Sequence, residues 1–224
     1  MKIYAHPFSA PSRLAVIVAK LLGLEYQYEN VDLFKQAQLG PEFTNVNTKQ
    51  KVPVLEDDGV VITESVSIMK YLCEKNGNTD LYPSSVTSPK DRAIVDMHLS
   101  ILADLRNNGQ RYLLGSVVLP KMGKSMPEAI VKQAKAELDK HLAEQEADLA
   151  SNPDKEYAIL DRLTLVDVYL FILSLPMTHL LFKEEFQTKF PHWYKLVQGL
   201  KEKNPIFAQD EKEYVDFLKL TPFA

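Results

Sequence analysis

Cysteine is nearly absent from this sequence of 224 residues. Its one cysteine, Cys73, permits no internal disulfide and no cysteine-rich metal site, which suits a reducing compartment, so the expected location is cytoplasmic. A basic surplus is missing too. With 26 Lys and Arg against 30 Asp and Glu, the formal net charge of -4 lacks the positive footprint that grips a nucleic-acid backbone, and no nucleic acid is expected as a partner. The five histidines show no H-x-x-x-H or mixed Cys spacing, so no metal is expected. The apolar run nearest the N-terminus, Leu14 to Ala19, is six residues long and follows Pro11 and Arg13, so no signal peptide is expected. The stretch "LTLVDVYLFILSLPMTHLLF" (163–182) has a membrane-compatible length, but Asp167, Pro176 and His179 interrupt it. It is expected to be a buried core helix, and no membrane association is expected. No internal repeat or low-complexity tract is evident.

What is present is a core's worth of apolar residues, 46% of the chain, in a length that suits one large domain or two modest ones. "KIYA" reads as a short strand. After a polar loop, Leu14, Ile17, Val18, Leu21 and Leu22 recur at helical spacing up to Gly23, and "YQYENVDL" (26–33) mixes strand formers with polar residues like a second strand. Residues 34–50, broken by Gly40-Pro41, read as loop with a short helix. In "VPVLEDDGVVITES" two apolar triplets flank Asp57-Asp58-Gly59, expected to be a three-residue hairpin loop. Ile68, Met69, Leu72 and Cys73 then mark one face of a helix that ends at Asn76-Gly77, and Cys73 is expected to pack there. The order is β-α-β then β-β-α. It predicts two parallel and two antiparallel strand pairings, as in a thioredoxin-like domain.

"LYPSSVTSPKDR" has the composition of a linker, and everything beyond it is helical in period. The boundaries expected are 1–79 for the first domain, 80–90 for the linker and 91–224 for an all-helical domain. Ile94, His98, Ile101, Leu102 and Leu105 are expected to line one buried face. A charged helix follows from Pro127 to about Ala150, another begins near Thr164, and "PHWYKLVQGLKEKN" and "EKEYVDFLKL" supply the last two. Thr164-Leu165-Val166-Asp167 carries a hydroxyl at a helix N-cap and an acid three residues on, a capping box with a folding role.

The loop after the first strand holds Ser9-Ala10-Pro11-Ser12, the spacing of a redox Cys-x-x-Cys with both sulfurs replaced by hydroxyls. Together with "KVPVLEDDG", "TESVSIMKYL" and "LTLVD", the stretch "HPFSAPSR" resembles the soluble glutathione transferase family over nearly the whole chain. The Ser-x-Pro-Ser-Arg and Glu-Ser-Val stretches are most similar to its serine-dependent theta and delta-like classes.

That resemblance implies an α+β chain with a thioredoxin-like N-terminal domain and an all-α C-terminal domain that supplies a hydrophobic substrate site. It implies conjugation of reduced glutathione, as co-substrate and without other cofactor, to small hydrophobic electrophiles by a homodimer. Residues near Met97, Ile101 and Tyr112 are candidates for the second-substrate pocket, although their helical spacing also suits the core. Ser9, just before a helix with Pro11 in its first turn, would donate its hydroxyl proton to the glutathione thiolate beside the positive helix end, where thiol pKa values fall from about 8.5 to roughly 3.5–7.5. Ser12 and Tyr4 are alternative donors, and an N-cap role alone is the plain alternative for Ser9.

Val52-Pro53 resembles the family's cis-proline turn, which leaves the Val52 backbone to pair with the cysteinyl unit. Ser65, at a helix start, would hold the γ-glutamyl carboxylate, and Glu64 would face the ammonium. Gln50 or Lys51 would meet the glycine carboxylate, and Asp96 resembles an acid that reaches the ammonium from the neighbouring subunit. A non-catalytic glutathione-binding or scaffold protein of the same fold is the competing reading. A thiol-transferase would need a cysteine in place of Ser9.

Overall fold

The computed structural model describes residues 1–223. The chain divides into two compact units, Met1–Pro89 and Lys90–Ala224. In the first, strand β1 (Lys2–Ala5) leads to helix α1 (Ala10–Leu21) and strand β2 (Gln27–Asn30), and a single 3-10 turn precedes the short α2 (Pro41–Thr44). The hairpin β3 (Val54–Asp57) and β4 (Val60–Thr63) then runs into α3 (Ser65–Asn76).

The sheet order is β2-β1-β3-β4. Only the β1–β2 pairing is parallel, and β1–β3 and β3–β4 are antiparallel. The sequence reading expected a second parallel pair. Four strands in this order have only three adjacencies, and a hairpin makes one of them antiparallel by construction.

The hairpin loop also differs from expectation. Asp57 pairs with Val60 as part of the ladder, so the loop is Asp58-Gly59 alone. Both loop residues sit at positive φ, 48° and 80°, the signature of a turn whose twist matches that of the flanking strands. Asp57 is thereby aimed inward and buried, where its Oδ2 accepts the Tyr71 hydroxyl at 2.8 Å and a hydrogen bond from Lys75 Nζ. Those bonds hold the Asp57 carboxyl below the usual carboxylate range.

Alternation along the strands sorts the two faces of the sheet. Ile3 and Ala5 of β1 and Leu55 of β3 are fully buried, as are Leu14, Ile17 and Val18 of α1 and Ile68, Met69, Leu72 and Cys73 of α3. A smaller cluster of Val31, Phe43 and Val54 is packed by Tyr4, Val46 and Val52. Leu81 and Tyr82, in the stretch read as linker, are buried, and the next helix starts at Pro89.

The second unit is helical. Helix α4 (Pro89–Leu113) passes through a π turn into α5 (Leu119–Lys121), followed by α6 (Glu128–Ala150), α7 (Leu165–Pro176), α8 (Glu185–Lys189), α9 (Pro191–Lys203) and α10 (Pro205–Lys219). The buried stripe of α4 is Val95, Leu99, Leu102 and Leu105. The expected stripe shared only Leu102 and Leu105 with it. Ile101 and Met97 are exposed, at 43% and 52%, because the burial follows a 4-3-3 spacing that starts one residue later than the predicted face.

Helix α7 is the core of this unit, and all its residues from Leu165 to Leu175 are buried. No helix among the described residues is long and apolar enough to cross a membrane. The capping box forms as the sequence predicts, with the Thr164 N–H and hydroxyl both donating to Asp167 Oδ2 at 2.8 Å. Asp167 Oδ1 also accepts the Ala158 N–H at 2.7 Å, tying the preceding loop to the helix start. Burial pushes the Asp167 carboxyl up to about 6, against the pull of these donors.

Candidate functional site

The strand register assembles the site. Tyr4 of β1 pairs with Val54 of β3, which pairs with Thr63 of β4. The exit of β1, the entry of β3 and the exit of β4 therefore lie side by side at one end of the sheet, at strand spacings of about 4.8 Å. Three sequence-distant segments are brought together there: the loop 6–9 with the start of α1, the turn at Val52-Pro53, and the start of α3 at Glu64-Ser65.

Ser9 is the N-cap of α1, in extended backbone (φ -80°, ψ 110°), and its Oγ accepts the Ser12 N–H at 3.3 Å. The cap role and a donor role do not compete. A hydroxyl oxygen accepts through a lone pair and keeps its proton to give to a further acceptor. No acidic residue stands in the first turn of α1, so the helix's own first turn adds no negative charge to its positive end.

The alternative donors differ in their surroundings. Ser12 is buried, and among the described residues its Oγ has no hydrogen-bond partner. The Tyr4 hydroxyl donates to Glu56 Oε2 at 3.0 Å, and its ring lies edge-on to Phe43 at 6.0 Å. Burial and the neighbouring Glu56 both raise the Tyr4 phenol above its ordinary value. That proton is committed to a carboxylate on the next strand.

The Val52–Pro53 peptide is cis. Among the described residues no hydrogen bond reaches the Val52 N–H or carbonyl. The loop before it is held by Asn47, which the sequence reading overlooked. This buried side chain accepts the Lys49 N–H at 3.0 Å through Oδ1 and donates Nδ2 to the Lys51 carbonyl at 2.8 Å, while its own carbonyl takes the Gln50 N–H at 2.9 Å. The signal that could have found it is the Asn two residues before a donor, an Asx turn. Gln50 is left-handed at φ 56°, and the Gln50 and Lys51 side chains are exposed.

Glu64 caps α3 with φ 69° and ψ 117°, a conformation that costs a non-glycine residue about 1–3 kcal/mol and is held by the elements around it. Its carboxylate is exposed, with Lys49 Nζ at 3.9 Å, and the next residue, Ser65, is buried at the first helical position. As in α1, the first turn of α3 contains no acid. Asp96 belongs to the second unit, where Arg92 Nε lies 3.7 Å from its Oδ2 on α4. Among the described residues no group of three or more His, Cys, Asp or Glu could hold a metal ion.

The Ser9 hydroxyl at the start of α1, a Val52 backbone that no hydrogen bond reaches among the described residues, and the buried Ser65 at the start of α3 beside the exposed Glu64 carboxylate stand together at this end of the sheet. Residues 3–80 match the model of the glutathione S-transferase N-terminal domain, and residues 105–204 that of the C-terminal domain. The chain is 39% identical over 101 residues to glutathione S-transferase D7 of Drosophila melanogaster, covering 44% of each chain. It is 37% identical over 135 residues to rat (Rattus norvegicus) glutathione S-transferase theta-2, covering 59% of this chain and 54% of the relative. The chain thus spans about half the length of the curated relatives it matches. A human theta-class glutathione transferase, solved with the glutathione conjugate of 1-menaphthyl sulfate, superposes with a TM-score of 0.81 at 25% identity, over 97% of this chain and 88% of that one.

Proposed function

The chain belongs to the glutathione transferase family, and on that premise we propose that it conjugates reduced glutathione to small hydrophobic electrophiles through a thiolate stabilised by Ser9. The observation that carries this reading is the alignment of Tyr4, Val54 and Thr63, which sets the start of α1, the Val52 backbone and the start of α3 at one sheet end.

The reaction is direct displacement. The glutathione sulfur loses its proton to solvent on binding, attacks the electrophilic carbon as a thiolate, and the leaving group departs with the bonding pair; no bond to the enzyme forms. The Ser9 hydroxyl supplies a charge-assisted hydrogen bond to the sulfur, and the helix end adds a favourable potential. The Val52 backbone pairs with the cysteinyl unit. Ser65 holds the γ-glutamyl carboxylate and Glu64 the ammonium, with Asp96 of a second copy assisting in a homodimer. Lys51 or Gln50 meets the glycine carboxylate.

The test is glutathione conjugation of a chromogenic aryl halide by wild type and Ser9→Ala, with the adduct identified by mass. A large loss of kcat in Ser9→Ala supports the assignment. Equal rates would refute Ser9 as the donor, and glutathione binding without turnover in the wild type would favour the scaffold reading.

A further inference from the structure

The loop that carries Ser9 is built around a buried histidine that takes no part in the proposed conjugation step. His6 follows the last residue of β1 and is 2% exposed. The Phe8 N–H donates to its Nδ1 at 3.3 Å, and the Ser9 N–H donates to its carbonyl at 3.0 Å. The first contact is the imidazole counterpart of an Asx turn, a side-chain acceptor capturing the amide two residues on.

A backbone N–H can only donate, so Nδ1 must carry a lone pair and the ring proton sits on Nε2. Nε2 faces Asp32 Oδ1 at 4.0 Å. Asp32 is itself fixed by the Phe34 and Lys35 amides at 3.0 and 3.2 Å and by Lys35 Nζ at 3.5 Å. The Phe34 ring stands edge-on to the His6 ring at 5.1 Å and is tilted against Phe8 at 5.5 Å. Loop 6–9 is thus clamped from the segment after β2 by one carboxylate and one aromatic ring.

We infer that His6 is a positioning residue for Ser9: its bare Nδ1 fixes the Phe8 amide, and with it the loop that aims the Ser9 hydroxyl at the bound sulfur. Protonation of Nδ1 replaces an acceptor with a donor facing another donor, so the turn opens and the hydroxyl loses its aim. Burial lowers the imidazole below its ordinary value, with the Asp32 charge pulling it back up, so the bare form prevails at neutral pH. Asp32 faces the ring, and Lys35 in turn pairs with Asp32. Acid should therefore remove the thiolate in two coupled protonations, one on sulfur and one on His6.

This inference rests on the assignment of Ser9, and the experiment separates the two. Full-length wild type, His6→Asn, His6→Leu and Ser9→Ala are titrated with acid while the ultraviolet absorbance of bound glutathione thiolate is followed, and kcat and KM for glutathione are measured. Asn can accept the Phe8 N–H and does not titrate. His6→Asn should retain the neutral-pH thiolate, with an acid limb of one proton where the wild type shows a steeper one. His6→Leu should lose about ten-fold in kcat, the scale of one buried hydrogen bond, with a smaller change in KM.

Equal limb slopes in wild type and His6→Asn, or a thiolate signal that grows as His6 is protonated, would overturn the inference. An undiminished thiolate in Ser9→Ala would instead overturn the reading beneath it. Should His6→Leu fail to fold by circular dichroism, the slope comparison with His6→Asn still decides.

Discussion

Replacing Ser9 removes two things at once, an N-cap and a sulfur ligand, and a pair of substitutions can separate them. The cap bond from the Ser12 N–H is 3.3 Å long. Ser9→Ala should cost about 1 kcal/mol of stability, within the usual span for a lost cap, whereas Ser9→Gly should cost only a few tenths. For a chain of this size 1 kcal/mol lowers Tm by about 2–4 °C, which thermal unfolding resolves. The sulfur ligand behaves differently, because alanine and glycine both lack the hydroxyl. A hydrogen bond to a charged group contributes about 1.5–3 kcal/mol, so both variants should raise the pKa of the bound thiol by about 1–2 units. The rest of the depression survives, because the helix end is untouched. Ser9→Thr, which keeps hydroxyl and cap, should match wild type in both measurements. Ultraviolet titration of the bound thiolate reads the second quantity while unfolding reads the first. A Ser9→Gly protein with the wild-type thiolate titration would refute the hydrogen bond to sulfur. Ser12, whose buried Oγ lacks a partner among the described residues, would then be the next donor to test.

Asn47→Ala leaves the Lys49 amide and the Lys51 carbonyl without their partner and should raise KM for glutathione about ten-fold while changing kcat much less; a kcat defect with unchanged KM would contradict its role in holding the loop. Tyr4→Phe should keep kcat within about two-fold, the effect of a hydroxyl whose proton already goes to Glu56, and a loss like that of Ser9→Ala would reinstate Tyr4 as the donor. Asp167→Ala should destabilise by about 1–3 kcal/mol, since it strands the buried donors of Thr164 and the part-buried Ala158 N–H. Because burial raises the Asp167 carboxyl to about 6, its contribution is complete below its unfolded value and declines as pH rises through 6. Urea unfolding should therefore show the gap between wild type and Asp167→Ala widening from pH 7 to pH 4, and a constant gap would show that this carboxyl does not titrate as described.

Local chemistry made much of this molecule readable in one dimension. The capping box at Thr164 and Asp167 involves residues three apart, and the Ser9 cap likewise needs only its own helix; such contacts depend on chain geometry that sequence spacing already contains. The buried faces of α1 and α3 follow from helical periodicity for the same reason. The motifs around Ser9, Val52-Pro53 and Glu64-Ser65 were legible by resemblance, though nothing in their spacing says that they converge.

Convergence came from the register, in which a one-residue slip would turn each strand's side chains to the other face. The same register made Asp57 a strand residue and confined the hairpin turn to two residues at positive φ. Tertiary packing alone chose which stripe of α4 is buried, since periodicity repeats along a helix but its phase is set by what lies against it. It also supplied the partners that give polar side chains their roles: Glu56 for Tyr4, the Lys49 amide and Lys51 carbonyl for Asn47, and Asp32 with Phe34 for His6. A hydrogen bond needs two groups within about 3 Å, and for residues far apart in the chain only the folded backbone provides that distance.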